Sequence, residues 1–167
     1  MKNKNINMLI ISFLVIAAFS IMLIIYVGTA KSDFSENIKV SQDGVTEDIL
    51  TVRDLRLNPT ESKEYSVNLV CAASGTFAFD LNFEEKTDGG LKPFINVTIT
   101  ADGNVVYQGT LKELIDNGLT TSFIGELHAK EPLVLTFHYE MPREIGNEAQ
   151  GTYSDFDIRI KVEKSDG

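Results

Sequence analysis

The sequence predicts an all-β protein: two antiparallel sheets packed face to face, with one short helix and a hydrophobic leader helix in front. Three observations carry this expectation. Apolar and polar residues alternate along segment after segment, which gives strands one buried and one wet face. Asp102-Gly103 separates "INVTITA" from "NVVYQG", and a tight type I′ hairpin needs positive φ at both central positions. All four prolines, Pro59, Pro93, Pro132 and Pro142, fall at strand starts or in loops, where a missing N–H costs nothing.

Taken in order, the chain begins with the leader. Met8 to Val27 is a run of 20 residues without a charge. As a helix it spans roughly 30 Å, the thickness of a bilayer's hydrocarbon core, which favours a signal anchor. The flanks favour a cleaved signal peptide. Lys2 and Lys4 supply the positive start, and Gly28 and Ala30 stand at the small-x-small spacing that a signal peptidase accepts, with Lys31 as the first residue after the cut. Either reading keeps the lysines inside and sends the remainder outside. Residues 31–48 are polar, with Phe34, Ile38, Val40 and Val45 as their apolar positions. They read as a flexible linker, an edge strand, or a segment that orders on meeting a partner.

Residues 49–163 form the expected sandwich domain. Tyr65, Val67, Leu69 and Cys71 share one phase, as do Phe77, Phe79, Leu81 and Phe83. Ile95, Val97 and Ile99, then Leu133, Leu135, Phe137 and Tyr139, then Phe156, Ile158, Ile160 and Val162 repeat the pattern. Two such faces bury each other only by stacking. "TLKELIDNG" departs from period two. There Thr110 and Glu113 make a capping box, Leu111, Leu114 and Ile115 share a helical face, and Gly118 supplies the stop. A two-turn helix joining two strands is expected, covering one end of the sandwich. Residues 164–167 are a short polar tail.

Charge and chemistry narrow the function. Lys2 and Lys4 are the only charges before Lys31, so residues 31–167 carry a formal charge of −11. Such a surface repels phosphate backbones, so nucleic acid is not an expected partner, and the membrane is met only through the leader. Cys71 is the only cysteine; no internal disulfide is possible, and its phase makes it a small core hydrophobe. His128 and His138 lack the HExxH spacing of a zinc site, and no G-x-S-x-G elbow or Cys/His pair is present. Asp43, Asp88 and Asp102 lie in Gly-rich turns, a chemistry that calcium uses, but none fits the calcium-loop pattern and Asp-Gly is foremost a turn former. Asn96-Val-Thr is formally a glycosylation sequon, relevant only in a eukaryotic secretory pathway. The Phe77, Phe79 and Phe83 stripe reads as core rather than as a ligand groove. No catalytic site, cofactor or metal is expected.

The leader ending at a small-residue site, "DFSENI", "LRLNPTESKEYSVNL", "GTFAFDLNF", "VVYQGTLKEL" and "NEAQGTYSDFDIRIKVEK" together resemble the TasA/camelysin family of exported Gram-positive proteins. Two departures stand out. Pro59 is followed by Thr60-Glu61 where the family has Gly-Asp, and "EDILTVRDLRL" must serve as the first sheet strand. The resemblance implies a jelly-roll sandwich, a SipW-type signal peptide removed by a dedicated peptidase, and assembly into biofilm-matrix fibres at the cell surface. Assembly there is by donor-strand complementation, with the segment carrying Phe34, Ile38, Val40 and Val45 as the donor and a filamentous homo-oligomer as the product. Some relatives carry a metallopeptidase label, but no zinc motif supports one here. The fold class expected is therefore an antiparallel two-sheet sandwich, jelly-roll or immunoglobulin-like, with one short helix. The alternative function is a membrane-anchored extracellular binding or adhesion module.

Overall fold

The computed structural model describes residues 34–42, 44–116 and 121–165. The leader 1–30, the cleavage positions Gly28, Ala30 and Lys31, and the turn residues Asp43 and Gly118 lie outside the described residues. Among the described residues nine strands and a helix follow one another: β1 (Phe34–Val40), β2 (Val45–Leu55), β3 (Ser62–Cys71), β4 (Gly75–Gly89), β5 (Asn96–Ala101), β6 (Asn104–Thr110), α1 (Leu111–Asp116), β7 (Thr121–Leu127), β8 (Leu133–Glu140) and β9 (Tyr153–Lys164).

They form two sheets, β1-β3-β8-β5-β6 and β2-β9-β4-β7. The antiparallel pairs nest within each other: β2 with β9, β3 with β8, β4 with β7, and β5 with β6. That nesting is the jelly-roll connectivity, a long hairpin folded over into two layers. Of the two sandwich types expected, the jelly roll is the one observed. β1 stands outside the nest. The expected boundary between a segment 31–48 and a domain 49–163 differs from the structure: β1 pairs within the sandwich and β2 begins at Val45.

The alternating residues fill the space between the sheets. Phe77, Phe79, Phe83, Phe137, Tyr139 and Phe156 are all at most 2% exposed. Phe83 meets Phe137 edge-on, with ring centroids 6.3 Å apart, a favoured arrangement for aromatic quadrupoles. The Tyr139 hydroxyl is buried in this cluster without a hydrogen-bond partner among the described residues, and burial pushes its pKa well above the ordinary value.

Local chemistry sets the connections. Asp102 and Gly103 have φ of 46° and 79°, the two positive values that the β5–β6 hairpin requires. At the start of α1 the Thr110 N–H donates to Glu113 Oε2 (2.9 Å) and the Glu113 N–H donates to Thr110 Oγ1 (3.2 Å), a reciprocal capping box. Leu111 and Leu114 are buried against the sandwich. Thr60 has φ of 74°, a costly conformation for a β-branched residue. Glu61 holds that turn from the far side, accepting from the Asn58 N–H at 2.9 Å.

One polar cluster ties α1 to the sheet. Lys92, in the 3-10 turn Lys92–Phe94 after β4, reaches Glu85 (2.9 Å), Asp88 (3.2 Å) and Asp116 (2.8 Å). Its side chain is 13% exposed. Asp116 above all, then Glu85 and Asp88, raise the Lys92 pKa. The Gly90 backbone N–H, aided by Lys92, lowers that of Asp88, and Lys112 with Lys92 lowers that of Asp116. Carboxyls depressed in this way stabilise the fold above their ordinary pKa of 3.8 and lose that contribution as pH falls through the lower folded values. Lys92→Met is expected to lower stability at neutral pH by about 1–3 kcal/mol. It also flattens the loss of stability on going from pH 5 toward 2, as read by urea midpoints across pH.

Candidate functional site

The feature that sets this sandwich apart is β1 and the edge it covers. It runs parallel to β3 in register from Phe34 beside Tyr65 to Val40 beside Cys71, the one parallel strand pair among the described residues. Period two places Ile38 beside Leu69 and Val40 beside Cys71 on the core side, and they are 3% and 6% exposed. Glu36 occupies the same phase, beside Val67, and is half-buried. On the outer side Asn68 Nδ2 donates to Asn37 Oδ1 at 2.9 Å. Beyond Val40 the chain crosses within a few residues to β2, at the edge of the other sheet. The Ser41 N–H donates to Thr46 Oγ1 (2.7 Å) at that crossing.

Three of the four expected donor residues, Phe34, Ile38 and Val40, therefore lie on one strand. Val45 does not join them. It is the first residue of β2, beside Glu163, and is 51% exposed. Cys71 sits on the core side at the end of β3, 1% exposed and next to Val40, so β1 is part of what shields its thiol.

The other singled-out residues serve turns and faces. Asp88 Oδ1 accepts from the Gly90 N–H (2.8 Å), and Asp102 Oδ1 accepts from the Val134 N–H (2.8 Å). Among the described residues no group of three or more His, Cys, Asp or Glu is arranged to hold a metal. His128 is exposed in a loop, and His138 lies half-buried on β8. The Asn58-Pro59 turn and Gln150 meet around a shallow cavity of about 150 Å³. A cleft of about 270 Å³ lies between Ser74–Thr76 and Glu126–His128.

The two outer faces differ in a way that strand-by-strand reading missed. Across the four-stranded sheet, Glu47, Glu84 and Asp157 interleave with Arg53, Lys86 and Arg159. Lys86 reaches Glu84 (2.9 Å) and Asp157 (3.4 Å), and Arg159 contacts Glu47. The five-stranded sheet instead presents Thr98, Thr100, Thr136, His138 and Gln108 in adjacent rows, with Glu64 beside His138, and among the described residues none of those five makes a side-chain hydrogen bond. Each strand's wet positions are legible in the sequence; which ones become neighbours depends on pairing.

No family model and no curated protein matches the chain. Among solved structures it is similar to a periplasmic inhibitor of g-type lysozyme from Aeromonas hydrophila, at 12% identity and a TM-score of 0.34, covering 77% of this chain and 97% of that one. The C-terminal carbohydrate-binding module (CBM6) of a laminarinase from Zobellia galactanivorans is similar at 10% identity and 0.32, covering 72% and 99%. A mutant of the corresponding inhibitor from Escherichia coli stands at 9% and 0.31, covering 78% and 98%. At these values no function transfers.

Cys71 reports on β1. Ile38→Asp removes roughly 2 kcal/mol of apolar burial, and the Cys71 thiol is then expected to react with a maleimide about 30-fold faster while circular dichroism stays that of the folded sandwich. An unchanged labelling rate in the folded variant would mean that β1 does not shield the core edge.

Proposed function

We propose that this chain is an exported structural protein whose subunits assemble head to tail, each supplying its β1 segment to the β3 edge of the next. The observation that carries the reading is the position of β1. It lies at an edge, next to the N-terminal region, outside the nested pairs that close the jelly roll. A strand so placed has the same partners whether it comes from its own chain or from a neighbour, and head-to-tail exchange does not close on itself. β3 supplies what such a partner needs: a row of backbone groups to pair with, and Val67, Leu69 and Cys71 to cover.

On this reading the protein works at the cell surface or in the extracellular matrix, and a signal peptidase frees Lys31. The membrane is involved only through the leader, and no catalytic group, cofactor or nucleic acid takes part. A second reading, a surface-tethered binding or adhesion module, is favoured by a different observation. Ile38 and Val40 are already buried in their own chain, and the outer face of the five-stranded sheet carries the hydroxyl-bearing Thr98, Thr100 and Thr136 in adjacent rows for a ligand to meet.

N-terminal sequencing and electron microscopy separate the two. The exported protein is expected to begin at Lys31 and to form filaments in negative stain. A form beginning at Ser41 is expected to remain single and to take up a synthetic peptide of residues 34–40. An exported protein that begins at Met1, or one that begins at Lys31 and stays monomeric at all concentrations, supports the binding module instead.

A further inference from the structure

A two-layered jelly roll leaves four sheet edges, here β1 and β6 in one sheet and β2 and β7 in the other. Edges are templates for unwanted pairing, and proteins blunt them with inward-phase charges, bulges, lysines or prolines. Three of these edges carry such devices. β1 has Glu36 in its inward phase, and Lys39. β2 has Asp48 in the phase of Leu50 and Val52, and a register shift between Val52 and Leu55. β6 has a register shift opposite Ile99 and Thr100.

β7 has none. Its pairing with β4 runs unbroken from Leu127 beside Gly75 to Thr121 beside Leu81. "TSFIGEL" contains no proline and no basic residue, and its inward phase holds Phe123, Gly125 and Leu127. Phe123 is stacked on Phe79 at 4.7 Å between ring centroids, and Leu127 is fully buried, which pins the strand flat. Ile124 is 71% exposed, the most of the exposed large apolar residues Val45, Ile49, Val105 and Ile124. Among the described residues nothing pairs with the outer side of β7.

We infer that β7 is a self-pairing edge, through which two copies of this chain join antiparallel about a two-fold axis at Ile124. The residue pattern around Ile124 selects a second copy as the occupant. In that register Ile124 faces Ile124 of the second copy, Ser122 faces Glu126, and Phe123 faces Gly125, which leaves room for the ring. No acid stands directly opposite an acid, although each copy carries a strongly negative charge. The exposed isoleucines cover each other, and two four-stranded sheets become one continuous eight-stranded sheet. Pairing with β2 of a second copy would instead meet the Asp48 phase and the bulge at Arg53-Asp54. The contact is isologous and closes as a dimer, so it does not rest on β1 exchange.

Cysteine cross-linking of the full chain in detergent micelles reads the register. Directly opposed residues have Cβ atoms about 4.5–5.5 Å apart, within disulfide reach after slight adjustment. Ile124→Cys is therefore expected to give a disulfide-linked dimer on a non-reducing gel. Ser122→Cys alone places its two thiols roughly 13 Å apart and is expected to cross-link at least about tenfold less. Ser122→Cys mixed with Glu126→Cys restores the dimer. All three positions are exposed, and circular dichroism verifies folding. A folded Ile124→Cys protein that stays monomeric overturns the inference. So does equal cross-linking by Ser122→Cys alone, or capture of Ile124→Cys by Ile49→Cys in preference to itself.

Discussion

The pairing of β2 with β9 is the constraint on which the rest of this molecule depends. It joins Val45 to Glu163 and Leu55 to Ser154, so the first nested strand closes against the last. Phe156, Ile158, Ile160 and Val162 of β9 are at most 1% exposed, and β9 lies between β2 and β4 in the four-stranded sheet. With that strand seated, the remaining pairs nest inside it. The closure also decides what lies outside: β1, held along β3 alone, and four sheet edges of unequal protection.

Charge shapes what the surface can do. Exposed ion pairs on the four-stranded face contribute little each, since water and salt screen them. The Lys92 cluster is different, because a mostly buried ammonium group meets three carboxylates and fastens α1 to the end of β4. A chain with a net negative charge resists casual association, so any contact between copies must use places where charge is sparse. The β3 edge beneath β1 and the outer side of β7 are such places.

Much of this was legible in the residues. Period two marked the buried strands because one face is dry and the other wet, and Asp102-Gly103 and the Thr110–Glu113 box announced their own geometry. β7 was not legible, because Gly125 interrupts the inward phase of Phe123 and Leu127 and leaves too little alternation to read. β1 was ambiguous for a related reason: Glu36 sits in the phase of Ile38 and Val40, so the segment resembles a linker. Its parallel pairing with β3 has no sequence signal, and neither has the meeting of Glu85, Asp88, Lys92 and Asp116, which only the folded chain brings together. Val45 shares only apolar character with Phe34, Ile38 and Val40, and the crossing between sheets places it on another strand.

Its edge position makes β1 a separable strand on a jelly roll whose nested pairs close without it. Native-state hydrogen exchange measured by mass spectrometry on β1 and β9 tests this most directly. The bonded amides of β1 are expected to exchange through a local opening, at least about 100-fold faster than those of β9 and with little dependence on denaturant. Equal protection of β1 and β9, with the same steep dependence on denaturant, would contradict it, since the strand would then open only when the whole sandwich unfolds.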